Sequence, residues 1–113
     1  MVITLTAIRL KRLWHYFKLT YLALHIVRQL KGQQGFIKMK NTGFGYWHYT
    51  LSVWETEAQA KSFARAGAHL QAMKAGRSIA QEVRIYTYRS DHVPSWKEAK
   101  QFLLEQGKVI HYQ

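Results

Sequence analysis

The chain has no cysteine, a single proline and only seven glycines in 113 residues. Without cysteine there is no disulfide framework, thiolate metal site or cysteine nucleophile. So little proline and glycine argues against an all-β design built on many tight turns. Acid is also scarce. Six Asp and Glu stand against 17 Lys and Arg, for a formal net charge of +11, and the first acidic side chain is Glu55. A field of that sign draws anions: nucleic acid, an acidic membrane surface, or a carboxylated or phosphorylated ligand. It also keeps a small protein soluble. No long apolar run occurs. The most apolar stretch, Leu19–Val27, contains His25 and lies between Lys18 and Arg28, whereas a membrane span needs about twenty apolar residues. Met1–Ile8 lacks the pattern of a secretory signal, so the cytoplasm is the expected compartment. A Gly-rich phosphate loop, a helical pair of metal ligands and a Ser-His-Asp arrangement are missing too. Glu55 and Glu57 are the only close acids, and they read as partners of a helix N-terminus.

The composition, 48% apolar and 20% charged, is that of one globular domain over residues 1–113. Val2–Leu10 alternates apolar and polar residues and predicts a strand. Arg12–Lys31 predicts an amphipathic helix ended by Gly32, with Leu13, Phe17, Thr20, Leu24 and Val27 on its apolar face. Lys18, His25, Arg28 and Gln29 fall on its polar face, and His15 and His25 read as polar-face histidines. Phe36–Lys40 predicts a second strand, Asn41–Gly45 a hairpin turn and Tyr46–Trp54 a third strand. Thr56 is placed to cap a second helix, Glu82–Tyr88 predicts a fourth strand, and Ser95 with Glu98 forms a capping box for a helix closed by Gly107. Val109–Tyr112 predicts a last short strand.

The order β-α-β-β-α-β, with an α-β extension over residues 94–113, predicts a ferredoxin-like α+β fold with both main helices on one sheet face. On the third strand, Trp47, Tyr49, Leu51 and Val53 form the expected seat for those helices. Tyr46, His48, Thr50, Ser52 and Trp54 then point the other way. An aromatic face of that kind calls for cover. A second subunit would give it, making a homodimeric α/β barrel with this stripe in its lumen.

Three strings carry a resemblance: Thr50–Glu55 (TLSVWE), Phe63–His69 (FARAGAH) running on to Ala72–Met73, and Pro94–Ala99 (PSWKEA) with Gly107 beyond. Together they resemble a bacterial family of spheroidene-monooxygenase-like proteins, similar to the antibiotic-biosynthesis monooxygenases of the dimeric α/β-barrel superfamily. Tyr49 stands where that pattern has Trp. The resemblance implies a dimeric barrel and a monooxygenase-like protein that binds an apolar or aromatic small molecule in an internal cavity. It implies His69 and His48 as catalytic candidates, and Tyr46, Thr50, Trp54 and Phe63 as substrate-binding ones. It also implies two cofactor states, none or haem, with His69 as the iron ligand if haem is bound. On an unbroken helix, however, His69 would lie opposite Gly67 and Ala60, towards solvent. Lys38, Lys40 and Arg9 form a candidate basic wall for an acidic ligand.

Two alternatives stand beside this. One is a non-enzymatic binding or structural dimer. The other, weaker, is a single-stranded RNA module, because Gly43–Tyr49 (GFGYWHY) overlaps an RNA-recognition signature in which Phe44 and Tyr46 would stack on bases. Against it, Thr42 replaces a basic residue, Trp47 replaces a small one, and Val2–Ala7 holds no aromatic.

Overall fold

A computed structural model of the chain describes residues 1–64 and 74–112. Its elements are β1 (Val2–Leu10), a 3-10 turn (Leu13–His15), α1 (Tyr16–Lys31), β2 (Phe36–Phe44), β3 (Trp47–Trp54), α2 (Glu57–Ala64), β4 (Ala80–Arg89), α3 (Trp96–Gln106) and β5 (Lys108–His111). The strands form one sheet in the order β2-β3-β1-β4-β5, every neighbouring pair antiparallel. The first four strands have the ferredoxin-like order, and β5 extends the sheet at the β4 edge.

The central strand β1 is buried on both faces, and each face builds its own core. Ile3, Leu5 and Ala7 pack with Leu51, Val53, Ala99 and Leu103, so α3 covers that side. Val2 packs on the other side with Trp54, with Leu30 of α1 and with Phe63 of α2. Each buried Leu, Ile or Phe stabilises the fold by about 1.5–3 kcal/mol. Two helices on one face and α3 on the other give three layers.

This corrects the expected use of the two faces. The Trp54 side of β3 lies under α1 and α2 rather than towards a sheet–sheet lumen. The Leu51–Val53 side lies under the chain's own C-terminal helix. The physical reason is that β3 carries large aromatics on both faces. Period-two alternation sorts its side chains into two sets without saying which helix each set receives.

The helix α1 departs in the same way. Its sunken side is the run His15, Leu19, Leu22, Ile26 and Leu30, while Leu13, Phe17 and Leu24 are exposed. Both runs have helical spacing, and tertiary packing chose between them. His15 is accordingly 9% exposed rather than on a polar face. Strand β2 runs on through Asn41–Phe44, which the sequence suggested as a turn. The turn shrinks to Gly45–Tyr46, with Gly45 at φ +67°, a conformation that suits glycine.

Other signals hold. The Thr56 hydroxyl accepts from the Gln59 backbone N–H at 3.2 Å, capping α2. Ser95 and Glu98 close the capping box on α3.

Candidate functional site

The sheet face beneath α1 changes character along its length. At one end the Trp54 ring sits 5.5 Å from Phe36 and 5.2 Å from Phe63, and its Nε1–H donates to Ser52 Oγ at 3.0 Å. Trp54 and Phe63 are 1% and 6% exposed, so here both are core side chains. The middle of the face is hydroxyl-rich. Thr50 is half-buried, opposite Thr6 on β1 and Asn41 on β2. Ser52 stands opposite Thr4, whose Oγ1 lies 3.2 Å from Thr87 Oγ1.

His48 occupies the other end, opposite Ile8 on β1 and Gly43 on β2. The Tyr16 ring, at the start of α1, lies 5.3 Å from it. His48 Nε2 is 3.0 Å from the Gly45 carbonyl oxygen. A carbonyl can only accept, so in the neutral imidazole Nε2 carries the proton and Nδ1 keeps its lone pair. A Cβ at Gly43 would collide with that Nδ1. Any side chain at position 43 would therefore strike the imidazole. A cleft of about 340 Å³ opens here, lined by Leu13, Tyr16, Phe17, Phe44 and His48 with the Gly43 and Gly45 backbone. Its chemistry is one imidazole lone pair and one phenol among apolar side chains.

The remaining expected residues fall elsewhere. Tyr46 lies in the hairpin turn, 46% exposed, and its carbonyl accepts from Leu10 N–H at 2.8 Å. Phe44 pairs with Trp47 on the opposite face from His48. Phe44 and Tyr46 therefore do not form the stacking pair on one strand that an RNA module needs. Arg9, Lys38 and Lys40 align with Trp47, Val53 and Leu51, which puts the basic wall on the α3 side of the sheet. His69 lies outside the described residues.

Two groups were not legible as site residues. One is Tyr16, brought to His48 by the roll of α1. The other is His15, whose buried Nδ1 has no hydrogen-bond partner, a costly state for a polar atom. The signal for His15 was its spacing of four from Leu19 and eleven from Ile26, on the stripe that proved to be sunken.

On the α3 face, burial pushes the Tyr49 and Tyr88 phenols up. Tyr49 lies under the Lys100 ammonium, 4.9 Å from the ring centre. These groups are packed beneath a helix. A larger cleft of about 580 Å³ opens at the far end of the sheet, among Met1, Glu55, Glu57, Arg89 and Asp91. It has no aromatic lining, and among the described residues no cluster of His, Asp and Glu could hold a metal.

No family model matches this chain, and no curated protein does. Solved structures do match in fold. A Deinococcus radiodurans protein described as an antibiotic biosynthesis monooxygenase superposes with a TM-score of 0.73 at 15% identity, over 84% of this chain and 97% of that one. SnoaB of Streptomyces nogalater, a cofactor-independent oxygenase, gives 0.67 at 10% identity, over 81% and 94%. A Nitrosomonas europaea protein, also described as an antibiotic biosynthesis monooxygenase, gives 0.73 at 10%, over 81% and 100%. The ferredoxin-like architecture of this chain is thus one it shares with these three proteins.

Proposed function

We propose that this protein holds a small aromatic molecule in the cleft between α1 and the β2–β3 hairpin and oxidises it as a monooxygenase, with His48 as the proton acceptor. The observation that supports this is the fixed imidazole: Nε2 held on the Gly45 carbonyl and Nδ1 beside Gly43, in an aromatic-walled cleft. A general base must have its lone pair free and held at a site the substrate can reach.

The chemistry asked of the site is modest. His48 Nδ1 takes a proton from an activated CH2 flanked by aromatic rings. The resulting carbanion, spread over those rings, gives electrons to dioxygen. One oxygen atom ends as the new carbonyl and the other leaves in water, so CH2 plus O2 becomes C=O plus H2O without an outside reductant. The Tyr16 hydroxyl is the nearest aromatic donor to orient the substrate. The half-buried hydroxyls of Thr50 and Ser52 extend the binding surface along the sheet. The haem ligand that the resemblance implies, His69, lies outside the described residues. No step is routed through haem.

A homodimer belongs to the same reading. Beside α3 the opposite face leaves Leu104 and Val109 exposed and Trp47 half-buried, an apolar rim that a second copy would cover. Sedimentation at twice 13.3 kDa would bear this out.

The test of the activity is aerobic turnover of a three-ring ketone with an activated methylene, followed by absorbance of the quinone product. His48→Gln should lower turnover by about 10²-fold or more while far-UV circular dichroism is unchanged. Equal turnover by the folded variant, or no turnover above buffer by the natural chain, refutes the reading.

A further inference from the structure

The first helix shows the solvent a surface that water does not suit. Leu13, Trp14, Phe17, Tyr21 and Leu24, at helical spacing, are 54–75% exposed. Phe44, at the tip of the β2–β3 hairpin, is 95% exposed. Leu13, Phe17 and Phe44 border one cleft at the hairpin tip, Phe44 from the edge where β2 turns it towards the other sheet face, and Tyr16 touches His48 on the hairpin's second strand. Contiguous exposed apolar patches mark places where something binds.

The charge around the patch says what kind of thing. Lys11–Lys31 carries five cations and no acid, and no acid occurs anywhere before Glu55. Arg12, Arg28 and Lys31 are exposed beside the apolar side chains. A second copy would bring this acid-free surface against itself, and like charges facing one another are costly. A nucleic acid would use the cations, yet Leu13 and Leu24 offer no stacking face, and the hairpin aromatics do not assemble into a platform. An anionic bilayer surface uses every part at once. Its headgroups take the cations, its interface takes Trp14 and Tyr21, and its upper acyl region takes Leu, Phe17 and Phe44. No described helix is long and apolar enough to cross a membrane, so the contact lies in the interface plane.

We infer that α1 and the β2–β3 hairpin tip form a docking face for anionic lipid surfaces. The face shares the rim of the His48 cleft but needs none of its chemistry, and it would hold for a chain with no oxygenase activity.

The test uses the whole chain with vesicles of phosphatidylcholine, with and without phosphatidylglycerol. The protein should co-sediment at least about tenfold more strongly with the anionic vesicles, and salt should weaken the binding. Acyl chains brominated near the headgroup should quench tryptophan emission, and Trp14→Phe should remove that quenching. Leu24→Asp and Phe44→Asp should each cut binding about tenfold, the equivalent of losing one apolar side chain from the interface. Arg28→Glu should weaken binding to anionic vesicles alone. Each of these results overturns the inference: no binding to either vesicle; equal binding to both with no response to Arg28→Glu; or a dimer in free solution that Leu24→Asp and Phe44→Asp dissociate. Retention of single-stranded RNA in preference to anionic vesicles would likewise replace lipid with nucleic acid.

Discussion

The helices α1 and α3 sit on opposite faces of one sheet and are held in opposite ways. The helix α3 has 11 residues and starts at a complete capping box. It sinks Ala99 and Leu103 to 0% and 2% exposure and sets Phe102 against the Tyr86 and Tyr88 rings at 6.0 and 5.1 Å. The helix α1 has 16 residues, enters through a 3-10 turn without a side-chain cap, and fully buries only Leu30. The shorter helix, appended after the ferredoxin-like unit, is thus the more firmly integrated. The longer one is anchored by its second half, through Ile26 and Leu30. Its first half carries the side chains of the cleft. Functional surface is usually drawn from the less firmly held parts of a fold.

The largest test of this contrast compares one leucine from each helix. Leu103→Ala opens a cavity in the core under α3 and should cost about 2–5 kcal/mol in urea unfolding. Leu24→Ala removes an exposed side chain and should stay within about 0.5 kcal/mol. Similar losses at the two positions would erase the distinction. A smaller effect is expected at the helix start. Ser95→Ala removes an acceptor for the Glu98 N–H at 3.2 Å and should cost about 1 kcal/mol. A loss near zero would mean that packing alone positions α3.

The same contrast explains what could be read from the sequence. Element order, the ferredoxin-like class and both the Thr56 and Ser95 caps follow from local patterns, because alternation and capping depend on near neighbours. The faces of α1 and β3 do not. Leu13, Phe17 and Leu24 are spaced like Leu19, Leu22, Ile26 and Leu30, and Trp47 is as suited to a core as Trp54. Only the packed structure separates such pairs. His48 was read as a residue of the third strand, where it lies, but its setting depends on contacts across elements. Gly43 lies opposite it only in the observed register, and it looked like a turn glycine in the sequence. Tyr16 reaches the ring only because α1 rolls its Leu13–Phe17 stripe outward.

The smallest expected effect concerns acid. Glu98 accepts from the Ser95 N–H and hydroxyl at 3.2 and 3.1 Å. Those bonds, the backbone one first, hold its carboxyl below the usual range. A carboxylate with a depressed folded pKa adds stability above its unfolded pKa and loses it as pH falls through the folded value. The stabilisation should therefore be complete at neutral pH and should decay below about pH 4.5. The helix α1 has no acid in its first turn and adds no such dependence. Glu98→Gln keeps an acceptor in the capping box but cannot titrate. In urea unfolding followed from neutral pH into acid, the natural chain should lose its small advantage over the variant as Glu98 protonates. Parallel curves throughout would show that the Glu98 charge does nothing for α3, leaving Ser95 and the Ala99–Leu103 packing as its only anchors.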